Sequence, residues 1–339
     1  MPHCPVVFSK APLALAALCC FANPAAAQPP RIRVDVDLVR VPFVATDSNG
    51  KPIRDLRLEE LTITDNGVPE DIRYLWTEID LPLTVGLVID ISSSQMGFVK
   101  AHRTAVERFL SSVIGPADRV LLATVDEQPR LLTGWTSSVD DLLQLAAQIA
   151  QERHAGELFG EPCQPPNRRA RRGPRACIGT AIWDGVFHLA RSQLSTADGR
   201  KALIVLSDGL DLNSSVHSLS SAIEALQSAN AAVYTIKSVS APYLALSPFL
   251  VVPALRNHEM EDIAVQTGGL FFKNTKSLDD VYRQIEDDLR SQHILAYTPK
   301  EPPTPGAWHR LEIRTTRPGI KVRAQAGYRV DLHSVDTPR

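Results

Sequence analysis

The 339-residue chain lacks an excess of either charge. Its 36 Lys and Arg residues nearly balance 38 Asp and Glu residues, which leaves a formal net charge of −2. No global field therefore draws the protein to nucleic acid or to an anionic membrane, and any charge-driven binding must be local. Hydrophobic residues make up 44% of the chain, which is ordinary for a globular protein and excludes a disordered, collagen-like or coiled-coil chain.

Signature motifs of common enzyme classes are also missing. The sequence has no G-x-S-x-G nucleophile elbow and no G-x-x-x-x-G-K-[ST] phosphate loop. The segment HEMED at residues 258–262 ends in Asp where a zinc protease needs its second His. These absences favour a protein that is not an enzyme.

The first 27 residues have the pattern of a secretory signal. Lys10 precedes an apolar run from Ala11 to Ala22 that is too short to span a bilayer, and a small-residue stretch ends at Ala27. This order predicts cleavage after Ala27, with a short buried helix as the alternative. We expect the mature chain to be secreted or periplasmic and to have no transmembrane segment.

Cysteine is scarce. Of the five cysteines, Cys4, Cys19 and Cys20 would leave with the signal, so the mature chain keeps only Cys163 and Cys177. In an oxidising compartment, two cysteines this close in sequence favour a local disulfide, which would stabilise by about 3 kcal/mol on a loop-entropy model. Two free buried thiols are the alternative, although the flanking Pro, Asn and Arg residues indicate an exposed segment.

Three patterns divide the rest of the chain. Residues 28–78 alternate apolar and polar residues around Asn49-Gly50 and Asn66-Gly67, which are strong hairpin signals, and they predict a small N-terminal β module. Residues 79–299 alternate apolar runs with amphipathic stretches, which is typical of βα units. Residues 300–339 begin with a Pro-rich linker and continue as short alternating strands, a C-terminal β element that we expect to pair with the N-terminal module.

The predicted fold is therefore α/β, a doubly wound and mostly parallel sheet with small β elements at both ends. The predicted strands of that sheet are residues 84–89, 120–125, 202–206, 232–236, 269–272 and 293–297.

Five oxygen-bearing residues stand where these strands end or where a helix begins. Asp90, Ser92 and Ser94 form D-x-S-x-S after the first strand, Asp208 follows a buried strand, and Thr180 precedes a predicted helix. Ligands of doubly wound sheets bind at the carboxyl ends of the strands, so we expect the five to converge. Two carboxylates and three hydroxyls suit Mg²⁺, or Mn²⁺ or Ca²⁺, and suit zinc poorly.

A simpler interpretation exists for each residue taken alone. Asp90 and Ser92 would cap the following helix, and Asp208-Gly209 would form a turn. Caps and turns do not explain why all five residues fall at one edge of the predicted sheet.

The five-residue set resembles the metal-ion-dependent adhesion site (MIDAS) of the von Willebrand factor type A fold, which is Rossmann-like. The chain further resembles the VWFA-related family named from acidobacteria. That second resemblance rests on segments 44–50, 64–67, 266–269, 289–290 and 326–328. The resemblance to the MIDAS implies that Ser92 and Ser94 are direct ligands and that Thr180 is a ligand in the partner-bound form. It also implies that Asp90 and Asp208 bind the cation directly or through water.

An arginine-rich segment departs from the plainer sequence usual in that family. Arg168, Arg169, Arg171 and Arg172 lie between the two mature cysteines, and Cys177 is three residues before Thr180. We expect these arginines beside the metal site, where they would attract an acidic ligand. A solvated charged loop or a proteolytic processing site is an equal alternative.

Together these features predict an exported, non-enzymatic, adhesion-type binding module. It would present a divalent cation to an exposed acidic residue on a protein partner, with no role for nucleic acid. One alternative is a metal-assisted hydrolase that uses the same cation, and another is a structural envelope module with a vestigial metal site.

The disulfide prediction has a direct test. The protein produced with export to the periplasm should have an intact mass about 2 Da below that of its reduced form, because a disulfide removes two hydrogens. Alkylation of Cys163 and Cys177 without prior reduction would show free thiols instead.

Overall fold

The computed structural model describes residues 38–77, 81–92, 95, 99–149, 180–238, 258–273, 277–302 and 304–330. The predicted signal, Ser94, the two mature cysteines and the arginine-rich segment lie outside these residues. What the sequence predicts for them stays a prediction.

Strands and helices alternate through the middle of the described chain. The strands are β1 (Val39–Thr46), β2 (Leu61–Asp65), β3 (Val68–Glu70), β4 (Ile72–Thr77), β5 (Leu83–Asp90), β6 (Arg119–Val125), β7 (Pro129–Thr136), β8 (Arg200–Ser207), β9 (Ala231–Lys237), β10 (Phe271–Lys273), β11 (His293–Tyr297), β12 (Trp308–Thr315), β13 (Lys321–Ala324) and β14 (Gly327–Arg329). The helices are α1 (Val99–Val113), α2 (Val139–Gln148), α3 (Ile182–Leu189), α4 (Leu219–Ser228), α5 (Glu259–Gln266) and α6 (Leu278–Leu289).

The central sheet has six strands in the order β10-β9-β8-β5-β6-β7. All neighbours are parallel except the edge strand β7, which runs antiparallel to β6. From β5 the chain first builds outward through β6 and β7, and then crosses to build outward again through β8, β9 and β10. The strand order therefore reverses between β5 and β8, which is the topological switch point where such sheets bind ligands.

Helices cover both faces of this sheet, which is why its interior strands are rich in apolar residues. All eight residues of β5 are buried. Leu87 and Ile89 pack in one core with α1, α2 and α6, whereas Val88 packs in the other with α3, α4 and α5. The predicted α/β class with a doubly wound, mostly parallel sheet is confirmed.

Two strand assignments differ from the sequence prediction. Residues 293–297 are not part of the parallel sheet, because β11 pairs antiparallel with β1 and β4 in a separate four-stranded sheet. Its residues are almost all buried, so its sequence resembles that of a parallel interior strand. Strand β7 was missed, because its residues are half-buried and show no clear alternation.

The expected pairing of the two chain ends is confirmed. Strand β13 pairs with β1, and β12 pairs with β2, so the N-terminal and C-terminal segments share two small sheets. Neither segment could bury its apolar face alone at this size.

A buried carboxylate links these small sheets. Asp65, the last residue of β2, accepts hydrogen bonds from the hydroxyls of Tyr297 at 2.7 Å and Tyr328 at 3.0 Å. Its other oxygen lies 2.8 Å from Nδ1 of His309. One side chain thus connects strands from both four-stranded sheets.

Removal of this carboxylate should destabilise the fold. Asp65→Ala would leave buried tyrosine hydroxyls without an acceptor, so its free energy of unfolding should fall by about 3 kcal/mol in urea titrations. The matched control is Asp71→Ala, because that carboxylate is exposed and makes only a surface ion pair with Lys300. The control should change stability by less than about 0.5 kcal/mol. Equal losses in both variants would contradict the role given to Asp65.

Candidate metal centre

The candidate centre lies at the switch point between β5 and β8. Asp90 is the last residue of β5, and Asp208 follows Ser207, the last residue of β8. Because Ile89 is in register with Leu206, Asp90 and Ser207 lie side by side where the two strands end. The hydroxyl of Ser207 donates a hydrogen bond of 2.5 Å to Oδ2 of Asp90.

Asp90 is completely buried. Burial and the neighbouring Asp208 carboxylate raise the pKa of Asp90 to about 7, against the hydrogen bonds from Ser207 and Ser92 that favour its ionised form. The backbone N–H of Ser92, just after the strand end, donates to Oδ1 of Asp90 at 2.9 Å. A positive charge at this place would relieve the repulsion between the two carboxylates.

Asp208 is held by a tight turn that needs glycine. Its Oδ1 accepts the N–H of Leu210 at 2.9 Å, and the N–H of Gly209 donates to the Ser207 hydroxyl at 3.0 Å. Gly209 has φ +78°, and a Cβ there would come within 2.6 Å of Cγ of Met260. The turn that the simpler interpretation proposes for Asp208-Gly209 is therefore present, and Asp208 also belongs to the set of five candidate ligands.

Thr180 reaches the same edge from the start of α3. It is buried and forms a parallel bridge with Asp211, three residues beyond Asp208. Its carbonyl accepts the N–H of Leu212 and of Asn213, each at 3.2 Å. The N–H of Ala181 donates to the carbonyl of Asp126, just past the end of β6, at 2.8 Å.

The structure thus brings Asp90, Ser92, Thr180 and Asp208 to one edge, while Ser94 lies outside the described residues. In the part of the chain that the structure describes, no three His, Cys, Asp or Glu side chains form a cluster suited to a metal. A cation at this edge would therefore depend on hydroxyl and water oxygens beside two carboxylates. That donor set fits a hard divalent cation such as Mg²⁺.

Sequence reasoning missed the residues that hold this edge in shape. Ser207 bonds Asp90, and Asp211 accepts the N–H groups of Trp183, Asn213 and Ser214 at 3.0, 3.2 and 2.9 Å. Asp211 caps the first turn of α3 through the N–H of Trp183. The sequence signal for Ser207 was a polar residue at the end of an apolar strand. The signal for Asp211 was an Asp three residues after Asp208.

Gln95 was missed as well. It is completely buried, and its Nε2 donates to the carbonyl of Ser238 at 3.0 Å, while its N–H donates to the carbonyl of Ser92. Within the part of the chain that the structure describes, its Oε1 has no hydrogen-bond partner. Gln95 therefore links the backbone of Ser92 to that of Ser238, just past the end of β9.

Lys237 adds a basic group near Asp208. It is the last residue of β9, in register with Ser207, and it is almost completely buried. The pKa of its ammonium group is lowered, because burial and the charge of Lys273 outweigh the opposing effects of Asp208 and Glu259. Its signal in the sequence was a single Lys at the end of an apolar strand.

Comparison with known proteins gives structural relatives but no sequence relatives. No family model matches the chain, and no curated protein matches it. A von Willebrand factor type A protein from Catenulispora acidiphila is 12% identical over 88% of this chain and 75% of that chain, with a TM-score of 0.43. Proximal thread matrix protein 1 from the mussel byssus, solved with a zinc-occupied MIDAS motif, is 15% identical over 66% of this chain and 50% of that chain, with a TM-score of 0.42.

BatB from Bacteroides thetaiotaomicron is 12% identical over 62% of this chain and all of that chain, with a TM-score of 0.41. The zinc is a property of the byssus protein alone. Because these identities are low, the fold is assigned from the strand order of this chain itself. Of these three similar structures, the Catenulispora protein is a von Willebrand factor type A protein.

Proposed function

We propose that this protein binds a divalent cation at the switch point and uses it to bind a carboxylate on a protein partner. The observation that carries the proposal is the convergence of Asp90 and Asp208, two buried carboxylates, at the ends of adjacent parallel strands. Mg²⁺ is the proposed cation, with Mn²⁺ and Ca²⁺ as alternatives. Asp90, Ser92, Ser94, Thr180 and Asp208 are the proposed ligands.

The donor set also explains why a partner is needed. Asp90 and Asp208 supply charge, whereas the hydroxyls of Ser92, Ser94 and Thr180 supply neutral oxygens. When bound, a divalent cation with a water-filled coordination position supplies a Lewis-acid contact for an external carboxylate. The buried position of Asp90, and the hydrogen bond from Ser207, hold its carboxylate in place before any partner arrives.

A binding role is favoured over catalysis. The Ser207 hydroxyl donates to Asp90 and not to an imidazole, so it is not arranged as an activated nucleophile. Turnover on a broad panel of substrates would favour the metal-assisted hydrolase. Partner capture that is unchanged after chelation would favour a structural envelope module with a vestigial site.

Export and the arginine-rich segment complete the proposal. Among the described helices, none is both long enough and apolar enough to cross a membrane. We propose that the chain is secreted or periplasmic after cleavage at Ala27, and that Arg168, Arg169, Arg171 and Arg172 steer an acidic partner toward the cation. Neutralising the four arginines would then slow association while leaving cation affinity unchanged.

Cation binding should stabilise the folded protein. Mg²⁺ at about 100 times its Kd should add about 2.7 kcal/mol to the free energy of unfolding, because only the folded state has the site. Thermal melts with and without Mg²⁺ measure the effect. Asp208→Ala should abolish most of it, whereas Asp140→Ala, which removes an exposed carboxylate on α2, should retain it. If Mg²⁺, Mn²⁺ and Ca²⁺ at millimolar concentration all leave the wild-type melting temperature unchanged, the metal proposal fails.

The buried Asp90 predicts an unusual pH dependence for the protein in chelator. Its folded-state pKa of about 7 lies above the ordinary value of 3.8, so its contribution to stability is present below about pH 4 and is lost as pH rises through 7. Between about pH 5 and about pH 8 the wild type should lose about 3 kcal/mol relative to Asp90→Asn, which cannot ionise.

Urea titrations of both proteins at the two pH values measure this difference. Saturating Mg²⁺ should reduce it, because a bound cation favours ionised Asp90 at both pH values. Parallel pH profiles of the two proteins in chelator would contradict the assignment.

A further inference from the structure

The loop from β8 to α4, residues 208–218, exposes two apolar side chains beside the candidate metal centre. Leu212 is 51% exposed and Val216 is 71% exposed. Single exposed aliphatic residues are ordinary on protein surfaces. Leu212 and Val216 differ from such isolated residues, because the loop that carries both of them begins with the candidate ligand Asp208.

Leu212 is placed against Thr180. Its N–H donates to the carbonyl of Thr180 at 3.2 Å, next to the bridge between Thr180 and Asp211. The backbone of Leu212 is thus in direct contact with another ligand candidate.

Val216 is placed over the first turn of α3, which follows Thr180. Its two neighbours are both anchored to Asp184, since Ser215 donates its N–H to Oδ2 at 3.0 Å and His217 donates its N–H to Oδ1 at 2.6 Å. The ring of His217 also stacks on Phe187 of α3, with ring centroids 3.5 Å apart.

The backbone of the loop is held by hydrogen bonds to two carboxylates, the buried Asp184 and the half-buried Asp211. Asp211 and Asp184 direct their oxygens to backbone N–H groups within the loop and at the start of α3. The side chain of Asn213 donates to the carbonyl of Glu127 at 2.8 Å and ties the loop to the end of β6. An apolar side chain on such a loop loses little conformational entropy when a partner covers it.

We propose that Leu212 and Val216 form the apolar half of the partner-binding surface, an inference that rests on the proposed function. The occupant is a segment of a partner protein in which a large apolar residue lies within a few positions of the Asp or Glu that binds the cation. Continuity supports this choice, because the loop that carries both side chains begins at Asp208 and the N–H of its Leu212 donates to the carbonyl of Thr180. The pair contributes affinity through apolar burial, and the cation contributes the requirement for a carboxylate.

A phage-displayed peptide library tests the inference. The probe is a random peptide library selected on the full mature chain in Mg²⁺, followed by the Kd of the best peptides by fluorescence polarisation. The wild type should enrich peptides that carry Asp or Glu close to Leu, Ile, Phe or Trp. The double variant Leu212→Ser, Val216→Ser should bind the best of them about tenfold more weakly.

Two controls separate this surface from other effects. Val265→Ser removes an aliphatic residue that is 58% exposed at the far end of α5, and it should leave peptide Kd unchanged. The double variant should keep the wild-type melting temperature and the wild-type stabilisation by Mg²⁺, because both side chains are exposed and neither is a cation ligand.

Failure of the inference is distinguishable from failure of the proposed function. Acidic peptides without any apolar preference, or an unchanged Kd in the double variant, would overturn the inference and leave the cation proposal standing. Peptides that bind equally well in chelator and to Asp208→Ala would overturn the proposed function, and the inference with it.

Discussion

Two carboxylates buried at the ends of neighbouring parallel strands impose the constraint on which the rest of this structure depends. Asp90 and Asp208 are both almost inaccessible to solvent, and their mutual repulsion adds to the desolvation of Asp90. The chain tolerates this arrangement because Ser207 and the backbone of Ser92 donate to Asp90, and because the Asp208 turn satisfies one carboxylate oxygen. The two contacts to Asp90 favour its ionised form, which burial and the Asp208 carboxylate disfavour.

The carboxylates at this edge divide into two groups with different tasks. Asp184 and Asp211 accept hydrogen bonds from the backbone and hold the loop after β8 against the start of α3. Asp90 and Asp208 make fewer such bonds and face each other electrostatically. Asp184 and Asp211 therefore hold the loop that begins at Asp208, and the carbonyl of Thr180 accepts two backbone N–H groups of the same loop.

The small sheets use a buried acid in another way. Asp65 is surrounded by two tyrosine hydroxyls and an imidazole, so every neighbour is able to donate a hydrogen bond and none repels it. A fully satisfied polar network of this kind joins strands that are distant in sequence and selects one pairing of the sheets. The contrast with Asp90 is mainly one of partners, because both carboxylates are buried.

The sequence alone determined the α/β class, the apolar interior strands and the residues that end them, because burial on both faces of a parallel sheet leaves uninterrupted apolar runs. It also determined the local turns, since Asp208-Gly209 and the hairpin Asn-Gly pairs carry their own backbone preferences. The assignment of β11 could not be made that way, because a strand buried in an antiparallel sheet has the same apolar pattern as one in a parallel sheet. Ser207, Asp211 and Lys237 likewise acquire their roles only from strand register and loop closure. Contacts between β5 and β8 bring together residues more than a hundred positions apart, and no local pattern encodes such distances.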